Sequence, residues 1–352
     1  MTVDNAALDL LIMQQDRQQS AKGYPFKTFD EMALAPNEKR WLIKGVFARG
    51  ESSGWIAPPG GMKSALMAHA SICVAAGLDW HGKRNKEQAG VVYFAIERAD
   101  LVRRRLRAHG DREGLRGLPI AVVSSTIDLT KPDAYRKVVE TIQEAEAALD
   151  VPIGLVIIDT FAKLIASGGG DENSAKDQGL VFANVQRVKN ATDTHVALIG
   201  HTGKDERRGS RGSNAILGDV DMMVTISGDL IRTATVTKAN DAPEGPLFSF
   251  KSENHEFGHD EDGDPVTVNV VSGEEVLQQA APKTSEPKLS QNQRVMFRIL
   301  IEAGQSGMTI EEWNDLARNE GITTKQRHYE ARMALKDKGL VREYVGRWHA
   351  NR

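Results

Sequence analysis

Five side chains in this sequence have types and positions suited to phosphate chemistry: Lys63, Ser64, Glu97, Asp159 and His201. The first two close the stretch Ala57-Pro58-Pro59-Gly60-Gly61-Met62-Lys63-Ser64. It fits the pattern G-x-x-x-x-G-K-[ST], with Ala57 and Met62 in the two glycine slots. An apolar helical run (Leu66, Met67, Ala70, Ile72, Val74) follows, so the stretch reads as strand, tight loop and helix. In such a loop backbone N–H groups and a helix N-terminus wrap phosphates, a lysine reaches the β/γ-phosphates and a hydroxyl holds Mg²⁺. On the motif alone, a Pro-Gly turn that merely precedes Lys-Ser is the competing reading. The phosphate nest needs left-handed backbone at alternating positions, here Gly60 and Met62, and at a non-glycine residue that costs roughly 1–2 kcal/mol.

Phosphoryl transfer also needs an acid near the metal, a group to orient the attacking water, and a cation for the developing charge. Asp159 ends the apolar run Ile153–Ile158, in the crevice outside the carboxyl ends of the strands where α/β sheets bind ligands. Alone it could equally cap the next turn with Thr160. Glu97 ends the run Val91–Ile96, where a carboxylate can polarise water or take its proton, or else pair with Arg98 or Arg104. His201 ends the run Val196–Ile199, placed to hydrogen-bond a γ-phosphate. After it comes a Gly- and Arg-rich loop bearing Lys204, Arg207, Arg208 and Arg211. That loop reads either as a grip on a nucleic-acid backbone or as a solvated charge run.

These positions need a scaffold. The continuous apolar, β-branched runs, with Ile120–Val123 among them, are the mark of strands buried on both faces of a parallel sheet. Between them 99–109, 133–148 and 174–191 carry helical polar and apolar faces. The alternation predicts an α/β fold with crossover helices. After Gly212 the short segments Met222–Ser227, Arg232–Thr237, Leu247–Lys251 and Val266–Val271, separated by Gly/Asp/Pro turns, predict an antiparallel extension at the sheet edge.

The 352 residues divide into an N-terminal helix and arm (1–35), a core domain (36–277), a proline-bearing linker (278–290) and a small domain (291–352). The last reads helix–helix–helix–hairpin, a winged-helix pattern, with a basic third helix that includes Lys325, Arg327, His328 and Arg332. Its charge is net positive against a negative remainder. Duplex DNA contact and protein docking both fit it. The chain is 40% hydrophobic and 26% charged with net charge −3, so nothing global announces nucleic acid. A single cysteine, Cys73, on an apolar run excludes a disulfide framework and favours a cytoplasmic setting. Asp4 and Asp9 make Leu8–Met13 a poor signal peptide, and no apolar run approaches the ~20 residues that span a membrane.

Taken together, Ala57–Ser64, Tyr-Phe-Ala-Ile-Glu (93–97), Ile-Ile-Asp-Thr (157–160), Gly-Asp-Glu-Asn-Ser-Ala (170–175), His-Thr-Gly-Lys-Asp (201–205), Arg-Gly-Ser (211–213) and Thr-Lys-Ala-Asn (237–240) form a recognisable series. It resembles the RecA-like ATPases of the RepA helicase group, common on plasmids and phages, over roughly residues 25–275. The resemblance implies ATP and Mg²⁺ as ligands, bound by 57–64 and Asp159, with Glu97 as catalytic base and His201 as sensor. It also implies a ring, usually a hexamer, with ATP between subunits. Residues 204–211 would then face single-stranded DNA in the channel, and Lys238 would reach into a neighbour's site. One departure stands out: where that group carries an arginine finger this chain has Asp221, which leaves Lys238, with Arg232 in reserve. The expectation is an ATP-driven helicase or translocase of plasmid or phage replication. The alternatives are a nucleotide-gated DNA-binding regulator or recombination mediator, and a structural ATP-binding protein without turnover.

Overall fold

Apolar runs alternating with amphipathic ones give strands sandwiched between helices. The structure, a computed structural model, describes residues 26, 28–33, 38–171, 174–201, 219–274, 276, 289–338, 340–344 and 346–350. Most of the N-terminal helix and arm expected over 1–35, the loop bearing Lys204, Arg207, Arg208 and Arg211, and most of the linker lie outside these residues. Two compact units result, Met1–Leu277 and Gln278–Arg352.

In the first unit a short helix α1 (Phe29–Ala33) and a hairpin, β1 (Trp41–Ile43) with β2 (Phe47–Ala48), precede β3 (Ser52–Ala57) and α2 (Lys63–Ala76). Then come β4 (Gly90–Ala95), α3 (Ala99–Glu113), β5 (Ile120–Val123), α4 (Ala134–Leu149) and β6 (Ile153–Asp159). They are followed by α5 (Phe161–Ala166), α6 (Ala175–Thr192), β7 (His195–His201), β8 (Met222–Gly228), β9 (Ile231–Ala239), β10 (Gly245–His259) and β11 (Pro265–Val271). One sheet takes the strands from β3 onward in the order β11-β10-β9-β8-β3-β7-β6-β4-β5. The run from β8 to β5 is parallel, and β9 to β11 continue it antiparallel. This is the expected α/β class, with one difference. The sequence pattern places Met222–Ser227 in the antiparallel extension, yet β8 pairs parallel with β3, Ser53 opposite Met222, so that the extension starts one strand later.

Every residue of β3, β4 and β6 is buried, which is why their sequences do not alternate. Trp55, Tyr93, Ile157 and Ile199 pack on α2 in one core. Ile56, Phe94, Ile158 and Leu198, one residue away, pack beneath α4 to α6 in a second. Each such side chain contributes about 1.5–3 kcal/mol on burial, so both layers hold the strand ends in place. At one margin of the first core, His69 on α2 stacks on His109 of α3 with ring centroids 4.8 Å apart, and His81 stacks on Phe248 at 4.4 Å.

The second unit holds α7 (Gln291–Glu302), a 3₁₀ turn (Gly304–Ser306), α8 (Ile310–Asn319), α9 (Lys325–Asp337) and a hairpin of β12 (Val341–Tyr344) with β13 (Arg347–Ala350). Capping boxes, Ser290 with Gln293 and Thr309 with Glu312, start α7 and α8. Trp313, buried between Met296 and Trp348, donates its indole N–H to the Met296 carbonyl at 2.8 Å.

Candidate active site

The carboxyl ends of the parallel strands form one edge, and strand order decides what meets there. Because β7 lies between β3 and β6, the side chains line up as the loop after β3, His201, Asp159 and Glu97. The registers agree: Ala57 is opposite His201, Ile199 opposite Asp159, and Asp159 opposite Ala95, two residues before Glu97.

The loop itself is tightly built. Gly60 (φ 78°) and Met62 (φ 64°) both lie in the left-handed region. For Met62 this costs about 1 kcal/mol or more, and its side chain packs against the first core in return. Gly61 is glycine for a different reason: a Cβ there would stand 2.5 Å from the Cβ of Ala57. No side chain caps the N-terminus of α2, so its first N–H groups are left for a ligand in the loop. Ala57 is fully buried and acts through its backbone.

Lys63 is almost fully buried and folds back on its own loop. It donates to the carbonyls of Ala57 (2.8 Å) and Pro58 (3.1 Å) and meets His201 Nδ1 at 3.3 Å. Burial pulls its ammonium down to about 8, opposed by the charges of Asp159 and Glu97. Asp159 is 5% exposed, and burial raises its carboxyl above the usual range, while hydrogen bonds from Ser64 and Tyr93 counter it. The Tyr93 hydroxyl donates to Asp159 Oδ2 at 3.0 Å. Glu97 is exposed.

These groups line one cavity of about 200 Å³ that includes Pro59 to Ser64, Glu97, Asp159, Thr160 and His201. The cavity also includes Arg98, Leu101, Val102 and Arg105 of α3 and its N-cap, none of which is among the residues expected from the sequence. Their spacing was the signal: 98, 101, 102 and 105 share one helical face. Within the run Arg103-Arg104-Arg105 only the last turns inward. Arg105 is half-buried, and its Nε donates to the Asn269 carbonyl at 3.2 Å. Burial lowers its pKa, against which the charges of Tyr93 and Asp159 act.

Several expected residues are elsewhere. Lys238, on β9 opposite Met223, donates to the Val220 carbonyl at 3.0 Å and does not line the cavity. Arg232 is opposite Gly228, at the far end of the same pair of strands, and is also absent from the cavity. Asp221, where the resemblance expects an arginine finger, accepts from the Ser52 N–H (2.8 Å), the Ser52 hydroxyl (3.0 Å) and Lys189 Nζ (3.1 Å). It is a tie between β3 and α6 at the amino edge.

In the second unit the reading of α9 needs correction. Lys325 and Arg327 are exposed, but Arg332 is only 7% exposed. Its guanidinium lies 5.6 Å from the Trp348 ring centroid and donates to Asn314 Oδ1 at 3.3 Å, so it closes the unit's core and is not offered to DNA. His328 is buried as well. The cause is helical period: 328 and 332 face inward with Ala331 and Leu335.

The oxygen donors that face the cavity, Ser64 and Asp159 with Glu97 near by, suit a hard divalent cation such as Mg²⁺. Among the described residues no group of three or more His, Cys, Asp or Glu forms a metal cage of its own. No helix among them is long and apolar enough to cross a membrane.

A family model described as "AAA domain" matches residues 19–207. None of the curated proteins matches the chain. Among solved structures, the chain is similar to one titled "Crystal structure of the RadB recombinase", at 13% identity over 58% of this chain and 88% of that one, with a TM-score of 0.43.

Proposed function

We propose, on the premise that this chain belongs to the AAA domain family, that it binds ATP with Mg²⁺ in the cavity at the carboxyl edge and hydrolyses it. The observation that carries this reading is the convergence of Lys63, Ser64, Glu97, Asp159 and His201, from four different strand ends, on one cavity beside an uncapped helix N-terminus. The residues divide the work. Backbone N–H groups of 60–64 and the start of α2 hold the β-phosphate, and Lys63 turns from the Ala57 and Pro58 carbonyls to the phosphates. Ser64 and Asp159 hold Mg²⁺, which when bound neutralises the phosphate oxygens. Glu97 orients and deprotonates the attacking water. His201, in contact with Lys63, senses the γ-phosphate, and Arg105 offers a positive charge from within the same chain.

The finer reading is a RecA-like motor of the RepA type that assembles as a ring, with a hexamer the expected form, and moves on single-stranded DNA in the cytoplasm during plasmid or phage replication. Lys204, Arg207, Arg208 and Arg211 are its proposed contacts to that strand, where backbone charge dominates affinity. Lys238 would serve a neighbouring subunit only after leaving Val220. The second unit is read as a winged helix that touches duplex DNA through Lys325 and Arg327. One observation favours the alternative, a nucleotide-gated DNA-binding regulator or recombination mediator: Asp221 fills the finger position with a structural tie. Steady-state ATP turnover with and without single-stranded DNA, next to Lys63→Ala, decides between them. The motor reading expects stimulation by the strand and unwinding of a forked duplex, both lost in the variant. Turnover indifferent to DNA removes the motor and leaves the gated regulator; no turnover removes both enzymatic readings.

A further inference from the structure

Tyr93 sits at the middle of β4, fully buried, where phenylalanine would fill the same volume. A phenol in that place costs free energy unless its hydroxyl is satisfied. The sheet register shows how it is. On the face that carries α2, Tyr93 is opposite Ile157, and Ala95, the next residue on that face, is opposite Asp159. Ala95 ends at its Cβ, and the Tyr93 hydroxyl donates to Asp159 Oδ2, 3.0 Å away. The carbonyl of Ser64 lies at 3.5 Å, the outer limit of a hydrogen bond, so the carboxylate is the principal acceptor. Asp159 therefore has two oxygen-bearing neighbours of different kinds. Ser64 borders the cavity, whereas Tyr93 is outside the cavity lining and is held by the core.

From this geometry we infer that Tyr93 is a positioning residue for the proposed Mg²⁺ site: its hydroxyl fixes the rotation of the Asp159 carboxylate so that the cation finds it already aligned. The inference rests on the proposed nucleotide function of the same cavity. A side chain behind a metal ligand that sets its orientation commonly changes metal affinity by about 10–100-fold when removed. Tyr93→Phe deletes one oxygen atom and keeps the ring, which leaves the packing of the first core in place.

The full-length chain, loaded with a non-hydrolysable ATP analogue, is titrated with Mn²⁺ and followed by electron paramagnetic resonance. Analogue affinity in excess chelator and the melting temperature are measured alongside. Tyr93→Phe is expected to weaken Mn²⁺ about tenfold, with analogue affinity in chelator unchanged. In an Asp159→Asn background the same substitution is expected to add no more than about twofold, since an interaction already broken cannot be broken again. Mn²⁺ affinity within about twofold of the unaltered chain overturns the positioning role, as does full additivity with Asp159→Asn. An unaltered chain that binds the analogue and no Mn²⁺ overturns this inference alone; one that binds neither overturns the nucleotide reading as well.

Discussion

The two edges of the central sheet bury polar groups in opposite ways. At the amino edge Ser52, Ser53, Lys189, His195 and Asp221 have settled partners. Ser52 and Lys189 close on Asp221, and His195 stands between the Ser53 hydroxyl (2.8 Å) and the Ala48 carbonyl (2.9 Å). At the carboxyl edge, on the same strands, the groups are left in tension. Lys63 is buried, bonded to two carbonyls and His201 with no carboxylate in direct contact, Asp159 has its carboxyl raised, Met62 is held left-handed and a helix N-terminus has no side-chain cap. The amino edge has the arrangement expected of stability, and the carboxyl edge that of a surface waiting for an anion and a cation. A substitution at one edge should therefore move one property and spare the other.

The largest separation is expected at Lys63. Lys63→Ala should lower ATP turnover about a thousandfold, the scale of a lost charge contact in a transition state, while the melting temperature holds or rises, because a desolvated ammonium leaves the fold. A clear drop in melting temperature would mean that the carbonyl contacts of Lys63 hold the edge together, and the comparison fails there. The amino edge should answer to acid. Burial keeps the His195 ring titrating near 4 instead of near 6.5, with the Ala48 carbonyl opposing it. Between those values the unfolded chain accepts a proton that the native one refuses, so stability is whole above pH 6.5 and drains away towards pH 4. The loss is roughly 3 kcal/mol for His195, and His69, His81 and His109, also depressed chiefly by burial, add to it. Urea unfolding midpoints from pH 7 to pH 4 measure the slope, which His195→Gln should flatten.

Next in size is Asp221→Ala. It strands the ammonium of Lys189, itself 6% exposed, at a cost of about 2–3 kcal/mol, yet nucleotide affinity should change less than twofold. Chemical denaturation and a nucleotide titration on one preparation separate the two. Smallest is Met62→Gly: relief of about 1 kcal/mol of left-handed strain is set against lost contact with the first core. Nucleotide affinity is expected within about threefold of the unaltered chain by that balance, and a larger loss would assign Met62 a packing role in closing the loop.

The sequence made the loop, the strand ends and the class of fold legible because each is local. Gly60, Met62 and Lys63 are neighbours, and a buried parallel strand is a run of apolar residues wherever it occurs. What it hid depends on order in space. Nothing in Val196–Ile199 says that this strand lies between those of Lys63 and Asp159, and Met222–Ser227 resembles an antiparallel edge strand until its partner is known to be β3. Tyr93 was passed over because a tyrosine in an apolar run reads as bulk; only the register with Ala95 and Asp159 gives its hydroxyl a task. Arg105 and Arg332 erred in opposite directions for one reason. Composition counts arginines, and helical phase decides which of them reach a cavity, a core or water.

The position of β3 also bears on how the chain can be made. Among the described residues its strand partners are β7 and β8, and Ser52 has to wait for Val196, and Ser53 for Met222. Of the nine strands in the sheet, the one that begins the loop comes first in the chain and is among the last to be enclosed, since both closures span long stretches of chain. On a ribosome the segment up to α6 would emerge with the central gap of its sheet still open. A fragment that stops short of Met222 has the residues of the loop and lacks one of the two strands that flank β3.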